Sequence, residues 1–287
     1  MASENEKFKF NPVYLVPVLA SMLFGLGCAW ILKPKQGSTA PPIALPDNVI
    51  TFPDNTLSGP LLNAILFIII VTISATTFYF LLKQNKIKFI KIVLGIVMTL
   101  ASSMLCIIYL LTLLLNTPYY SLTLIIALTI LITAIFDLTI FKYTKFQSIS
   151  VIALGGAYGA VFSYLLSPIP YSTIAILIAL AIYDIFAVYR GPVGKIAQSG
   201  IDKLNGLSYS FKDIQMGLGD LFFYTVLMCF MYFNYPSSLL PTIMAIIGIC
   251  IGTTITFYLL DKKGIFPGLP FPIAIGLTLG FVTTLFI

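Results

Sequence analysis

Apolar stretches of about 20 residues recur along the whole chain, and they constrain its fold more than any other feature. Of the 287 residues, 59% are hydrophobic and only 9% are charged, whereas a soluble domain carries about 25% charged residues. A helix that crosses the hydrocarbon layer needs about 20 apolar residues, and lipid offers no partner for an unpaired backbone group. The sequence therefore predicts an all-α polytopic membrane protein.

The apolar stretches predict nine transmembrane helices in a single membrane domain over residues 1–287, with no internal repeat. The first stretch is long for the apolar region of a signal peptide and lacks a small-residue exit, so we expect it to be retained. The expected spans lie at about 13–32, 60–82, 89–115, 119–141, 148–167, 171–189, 214–234, 238–260 and 265–287.

Basic residues are distributed unevenly between the two sides that this order of spans defines. The side that holds the N-terminus receives all but two of the 16 Lys and Arg residues, and the opposite side receives only Lys33 and Lys35. Basic residues concentrate in cytoplasmic loops, so we expect a cytoplasmic N-terminus and a C-terminus outside. A missed or false span in the middle of the chain would destroy this asymmetry.

Several classes of chemistry are excluded by what the sequence lacks. Histidine is absent, which excludes a Ser/His protease and an HExxH metalloprotease. The four cysteines lie in different apolar stretches without a CxxC pair, so we expect neither a disulfide framework nor a zinc site. We expect no metal and no cofactor. The net charge of +6 lies in the loops, so nucleic acid is not an expected partner. A hydrolase in this membrane would have to use carboxylates.

Two aspartates lie inside apolar stretches: Asp184 in the sixth span and Asp220 in the seventh. A carboxylate in hydrocarbon costs a few kcal/mol, so it persists mainly for function. Asp184 lies six residues before Arg190, and Asp220 lies eight residues after Lys212. At about 1.5 Å per residue, both lie roughly 9–12 Å inside the cytoplasmic boundary. Because these spans are consecutive and antiparallel, we expect the two side chains to face each other.

Glycine and proline mark the same level of the membrane. Gly217 shares a helix face with Asp220 and is expected to let the seventh helix pack closely against a neighbour. The ninth span opens with three prolines within residues 267–272, which excludes a regular helical turn throughout. Irregular backbone at membrane depth is tolerated only where it is buried in protein or lines a wet cavity.

These motifs resemble those of the GxGD intramembrane aspartyl proteases, the presenilin and signal peptide peptidase superfamily. That family has Tyr-Asp in span six, Gly-x-Gly-Asp in span seven and Pro-Ala-Leu-Pro at the start of span nine. The corresponding stretches here are Tyr183-Asp184, Gly217-Leu218-Gly219-Asp220 and Pro267-Gly268-Leu269-Pro270. Span number, motif order and motif location all agree, so the resemblance covers the whole architecture.

The resemblance implies a presenilin-like fold in which Asp184 and Asp220 are catalytic. It also implies that residues of the three motifs support the active site, namely Tyr183, Gly217, Leu218, Gly219, Pro267, Gly268, Leu269 and Pro270. The expected orientation is that of presenilins, whereas signal peptide peptidases are inverted. The chain departs from the family pattern at Gly268, where the family has alanine, and in its short loop from Arg190 to Lys212.

The chain is similar to archaeal-type presenilin homologues, which implies a multi-pass protein of the cell membrane that acts uncut and without accessory subunits. Its expected partners are transmembrane substrate polypeptides and the lipid bilayer. In the hypothetical mechanism, one carboxyl group of the pair holds a proton and the other activates a water molecule. The run Leu207 to Ser210 and the backbone near Leu269 are expected to pair with a locally unwound substrate as an added β-strand.

Two alternatives remain. Intramembrane aspartates and broken helices also occur in ion- or proton-coupled transporters and channels, although such sites favour the midplane and the chain shows no inverted repeat. A prepilin-peptidase-like enzyme also uses a Gly-x-Gly-Asp acid, but it lacks the Pro-x-Leu-Pro element. A third acid, Asp137, lies near the cytoplasmic end of the fourth span and is expected to snorkel or to be locally paired.

Overall fold

The computed structural model of the protein describes most of the chain. The residues described are 12–33, 52–54, 56, 58–84, 86–114, 117, 121–141, 144–190, 208–211 and 214–286. Leu207 and most of the loop from Arg190 to Lys212 lie outside the described residues, so the predictions made for them are not addressed by the structure.

The described residues form nine α-helices and one β-hairpin, with one helix for each of the nine predicted spans. A 3₁₀ turn at Pro12–Leu15 leads into the first helix. In chain order the elements are α1 (Val16–Leu32), α2 (Ser58–Lys83), α3 (Ile87–Leu114), α4 (Leu122–Phe141), α5 (Thr144–Leu166), α6 (Pro170–Tyr189), β1 (Ser208–Phe211), β2 (Ile214–Gly217), α7 (Leu218–Asn234), α8 (Leu240–Lys263) and α9 (Pro270–Thr284).

Seven of the described helices, α1–α6 and α8, are long and apolar enough to cross a membrane. The other two, α7 and α9, are apolar but shorter. Many large apolar side chains on α2, α3 and α4 are exposed on the outside of the protein, as expected for surfaces that face lipid. The chain is therefore a multi-pass membrane protein with an almost entirely helical fold, as predicted.

Helices α7 and α9 begin a few residues after the predicted starts of spans seven and nine. Ile214–Gly217 is a strand that pairs antiparallel with β1, and α7 begins only at Leu218. Glycine is a poor helix former, so Gly217 and Gly219 favour this change from strand to helix. In the ninth span the helix begins at Pro270, because proline is tolerated in the first helical turn and nowhere further in.

Helices α1, α5 and α7 pack with their backbones in close contact. A Cβ atom placed on Gly159 of α5 would lie 2.6 Å from Cβ of Thr225 in α7. A Cβ on Gly25 of α1 would overlap the methyl group of the same threonine. Helices α8 and α9 are equally close, since a Cβ on Gly252 would lie 2.5 Å from the backbone of Pro272. These helices share the main apolar core of the protein.

Helix α6 packs chiefly on α2, through a second and smaller apolar cluster. The buried members of this cluster are Ala64, Leu166, Ile176 and Leu180. The first turn of α6 is capped from outside the helix: the Asp54 carboxylate accepts hydrogen bonds from the backbone N–H groups of Tyr171 at 2.7 Å and Ser172 at 3.1 Å, and from the Ser172 hydroxyl. The Asn63 amide of α2 also donates to the Ser172 hydroxyl, at 2.8 Å.

Candidate active site

Asp220 lies in the first turn of α7, where the helix begins after the hairpin. Gly217 is the N-cap residue, with extended backbone angles, and Asp220 is the third residue of the helix. A Cβ atom on Gly217 would lie 3.8 Å from Oδ2 of Asp220, so the N-cap residue lies beside the carboxylate. The unpaired amides and the dipole at a helix N-terminus favour an acidic side chain at this position.

Asp184 lies in the last third of α6, five residues before the helix ends at Tyr189. Its Oδ2 accepts a hydrogen bond of 3.0 Å from the backbone N–H of Leu269. Leu269 is the N-cap residue of α9. This hydrogen bond therefore joins α6 directly to the backbone that leads into α9.

The proline motif brings the two acids together. A Cβ atom on Gly268 would lie 2.9 Å from Oδ1 of Asp220, so Gly268 lies against the Asp220 carboxylate. The next residue, Leu269, donates to Asp184. The two carboxyl groups are close enough to interact electrostatically, and both side chains are partly buried. Both acids thus contact the same stretch of backbone, and their placement at one level of the membrane stays a prediction.

The backbone before α9 does not form regular helix, as its prolines predicted: residues 265–269 belong to neither a helix nor a strand. Pro267 and Pro270 have no amide N–H, so Gly268 and Leu269 are the residues of the motif that can donate from the backbone. The sequence motif therefore produces a short stretch of backbone outside regular secondary structure, and its Leu269 N–H can donate to a carboxyl group.

A further residue of this site, Tyr224, was not predicted. Its hydroxyl donates a hydrogen bond of 2.8 Å to the backbone carbonyl of Gly268, and its side chain is fully buried. Tyr224 lies one turn after Asp220 on the same face of α7. This spacing is the signal in the sequence that could have indicated its place beside the acids.

The remaining predicted residues lie around this centre with different surroundings. The Tyr183 hydroxyl is buried, and it has no hydrogen-bond partner among the residues that the structure describes. Leu218 is the first residue of α7 and packs against the main core. A Cβ on Gly219 would have no atom within 4 Å. The expectation that Gly217 allows close helix packing was wrong, because a Cβ there would meet only atoms of Asp220 and Gly219, both at 3.8 Å.

The third intramembrane acid is paired elsewhere. Oδ2 of Asp137 in α4 accepts a hydrogen bond of 2.8 Å from the Thr99 hydroxyl of α3, so Asp137 is locally paired and is not part of the centre formed by Asp184 and Asp220. In the described part of the chain, no group of three or more His, Cys, Asp or Glu side chains is arranged to hold a metal ion.

The fold and the site define a multi-pass helical membrane protein that carries two neighbouring carboxyl groups within its spans. No protein-family model matches the sequence, and no curated protein matches it either. The fold is similar to two solved structures described as a presenilin family intramembrane aspartate protease, one in space group C222 and the other in space group P2.

The similarity extends over nearly the whole of each chain. For the C222 structure the TM-score is 0.62 at 18% identity, covering 95% of this chain and 99% of that chain. For the P2 structure the TM-score is 0.61 at 18% identity, covering 95% of this chain and 96% of that chain. The protein therefore has a presenilin-like fold, as its motifs predicted.

Proposed function

We propose that this protein is an intramembrane aspartyl protease, an aspartic endopeptidase of the GxGD type that hydrolyses peptide bonds within transmembrane segments of other proteins. The observation that carries this proposal is the convergence of Asp184 and Asp220 on two adjacent residues, Leu269 and Gly268. The similarity to structures described as an intramembrane aspartate protease supports the same activity.

Two neighbouring carboxyl groups cannot both ionise cheaply, so one of them holds a proton. The ionised carboxylate takes a proton from a water molecule as the water oxygen attacks the carbonyl carbon of the substrate. The protonated carboxyl group donates a hydrogen bond to the carbonyl oxygen and stabilises the gem-diol that forms. Breakdown of the gem-diol transfers a proton to the leaving nitrogen. Because the pair acts as a unit, we assign neither role to one residue.

The proposed topology has nine spans in the cell membrane, with the N-terminus in the cytoplasm and the cleavage site near the cytoplasmic face. It is supported by the placement of all but two of the 16 basic residues on one side. The natural partners are single transmembrane segments that enter from the bilayer, and the protein acts without accessory subunits or a cofactor.

A substrate helix must unwind before its carbonyl groups can be attacked, and the hairpin before α7 offers backbone for the unwound strand. Phe211 and Ile214 form the last residue pair of the hairpin. Backbone groups alternate in direction along an antiparallel strand, so Ser208 and Ser210 direct their N–H and C=O groups away from β2. We propose that this edge of β1 pairs with the substrate.

The proposal that the edge of β1 pairs with the substrate is tested by proline substitution, which removes one backbone N–H without adding charge. We expect the Ser210→Pro variant to cleave a transmembrane reporter peptide about 10-fold more slowly or worse, because proline cannot donate the N–H that strand pairing needs. A substitution of Ser210 by Ala keeps the N–H and serves as the control, with activity close to that of the unchanged protein. Equal activity of the Pro and Ala variants would remove the strand-pairing proposal.

The protease proposal itself is tested with Asp184→Asn and Asp220→Asn in purified protein reconstituted into lipid. Each variant keeps the size of the side chain but removes its acid–base chemistry, so cleavage of a transmembrane peptide is expected to fall at least about 1,000-fold. Asp137→Asn is the matched control, because this intramembrane acid is paired with Thr99 away from the site. Its activity is expected to stay within about two-fold of the unchanged protein.

Cleavage by either Asn variant at a rate near that of the unchanged protein would contradict the dyad. A mimic of the gem-diol is expected to inhibit the unchanged protein. If reconstituted protein instead moved ions or protons across the vesicle membrane and never cut the peptide, the same aspartates would belong to a transporter or channel.

A further inference from the structure

A single peptide group connects the three elements of the candidate active site. The carbonyl oxygen of the peptide between Gly268 and Leu269 accepts a hydrogen bond of 2.8 Å from the Tyr224 hydroxyl. The N–H of the same peptide group donates a hydrogen bond of 3.0 Å to Asp184. Tyr224 belongs to α7 and Asp184 to α6, so this peptide group lies between the two helices that carry the acids.

The two hydrogen bonds of this peptide group are mechanically coupled. A trans peptide group is planar, and its C=O and N–H bonds point in opposite directions. A donor that fixes the direction of the carbonyl of Gly268 therefore also fixes the direction of the N–H of Leu269. Rotation of the group would break the contact with Tyr224 and the contact with Asp184 together.

Regular secondary structure does not hold this peptide group in place. It lies just before α9, between Pro267 and Pro270, and these two residues have no N–H to offer. Gly268 has no side chain, and an added Cβ atom would lie only 2.9 Å from Oδ1 of Asp220. The Tyr224 hydroxyl is thus the side-chain donor that orients the peptide group between Gly268 and Leu269.

We infer that Tyr224 is a positioning residue for Asp184, acting through the peptide group between Gly268 and Leu269. Tyr224 and Asp220 lie one turn apart on α7. The helix that carries Asp220 therefore also orients the backbone N–H that donates to Asp184. This inference rests on the proposed protease function, because positioning Asp184 has a catalytic meaning only if Asp184 and Asp220 act together.

The test is the substitution Tyr224→Phe, which removes one hydroxyl and keeps the ring. With a transmembrane reporter peptide, kcat is expected to fall about 10-fold, the effect of losing one hydrogen bond that orients a reacting group. KM is expected to stay within about two-fold, since the peptide-binding surface is retained. The control is Tyr158→Phe in α5, whose buried hydroxyl has no partner among the described residues, and its kcat is expected to be unchanged.

A second measurement does not depend on catalysis. Within residues 267–272 only Gly268, Leu269 and Phe271 have an amide hydrogen, because the other three residues are prolines. Hydrogen–deuterium exchange of this segment is expected to be at least about five-fold faster in the Tyr224→Phe variant than in the unchanged protein or in Tyr158→Phe. Hydrogen exchange reports on the hydrogen bond between Tyr224 and this peptide group even if the reporter peptide is never cut.

Two further replacements separate the donor from the shape of the side chain. Replacing Tyr224 by p-aminophenylalanine restores an N–H donor, and p-fluorophenylalanine fills the same space without one. Recovery of activity and of slow hydrogen exchange with p-aminophenylalanine, but not with p-fluorophenylalanine, would support the inference. If the Tyr224→Phe variant does not fold, these two variants are used in its place. Equal kcat in the donor and non-donor variants, or a rise in KM at constant kcat, would overturn it. Failure of the unchanged protein to cleave would instead contradict the proposed function.

Discussion

The two acids of the candidate active site lie on parts of the molecule that are packed in different ways. Asp220 belongs to α7, whose Thr225 lies against Gly25 of α1 and Gly159 of α5 and whose side chains fill the main core. Asp184 belongs to α6, which packs chiefly on α2 through the smaller cluster and contributes only Leu177 and Ala181 as buried residues to the main core. One acid is fixed by close packing, and the other is held by a thinner set of contacts.

The difference shows what sets the geometry of the pair. Close packing leaves α7 little freedom, because interiors at native density transmit strain and tolerate few shifts. Helix α6 depends more on polar contacts near its two ends, from Asp54 and Asn63 at one end and from Leu269 near the other. We therefore expect the separation of the carboxyl groups to depend mainly on the contacts of α6.

The largest effect on stability is expected where the rigid region is closest packed. Gly25→Ala places a methyl group onto the Thr225 side chain and 3.0 Å from the Gly156 carbonyl, so the free energy of unfolding is expected to fall by about 1–3 kcal/mol. Gly27→Ala lies two residues away on α1 with no atom within 4 Å of the new methyl group, and it should leave stability unchanged or slightly raised. Thermal unfolding in detergent measures both, and equal midpoints would break the comparison.

A smaller and local effect is expected at the outer end of α6. Asp54→Ala removes the carboxylate that caps the backbone N–H groups of Tyr171 and Ser172, and loss of a helix cap costs about 1 kcal/mol. Hydrogen exchange in the first turn of α6 is expected to become faster, while the core of α7 is unaffected. Asp54→Asn keeps one acceptor oxygen, so its exchange rate in the first turn of α6 should lie between those of the unchanged protein and Asp54→Ala. Faster exchange throughout the protein would show that α6 is not a separately held element.

The smallest effect is expected from Gly268→Ala, which introduces the residue that the resembling family has at this position. Its methyl group would lie 2.9 Å from Oδ1 of Asp220, so one of the two must shift by a few tenths of an ångström. Because small displacements of reacting groups are costly, cleavage is expected to fall about three- to ten-fold with little change in the unfolding midpoint. Activity equal to that of the unchanged protein would mean that the Asp220 carboxylate can move away from the methyl group without loss of function, contrary to this prediction.

Local features of the sequence predicted the central part of this arrangement. The non-helical backbone before α9 follows from Pro267 and Pro270, whereas the membrane levels of Asp184 and Asp220, which rest on the helical rise and the loop charges, stay predictions. These properties depend on neighbouring residues, so no knowledge of the tertiary structure was needed to predict them.

Contacts between distant parts of the chain could not be predicted in the same way. Asp54 caps a helix turn 117 residues further on, and Tyr224 binds a carbonyl 44 residues away. Such pairs depend on how the helices pack, which periodicity and composition do not encode. The strand Ile214–Gly217 was missed for a different reason, since a short apolar run before a helix is equally typical of either element.

The short lengths of α7 and α9 affect how water reaches the acids. They have 17 and 15 residues, or about 25 and 22 Å at 1.5 Å per residue, against a hydrocarbon layer of about 30 Å. Non-helical backbone precedes both helices, next to Asp220 and Leu269. In the proposed topology this end of each helix faces the cytoplasm, so we expect that water has only a short distance to cover before it reaches the acids, with no long tunnel through the protein.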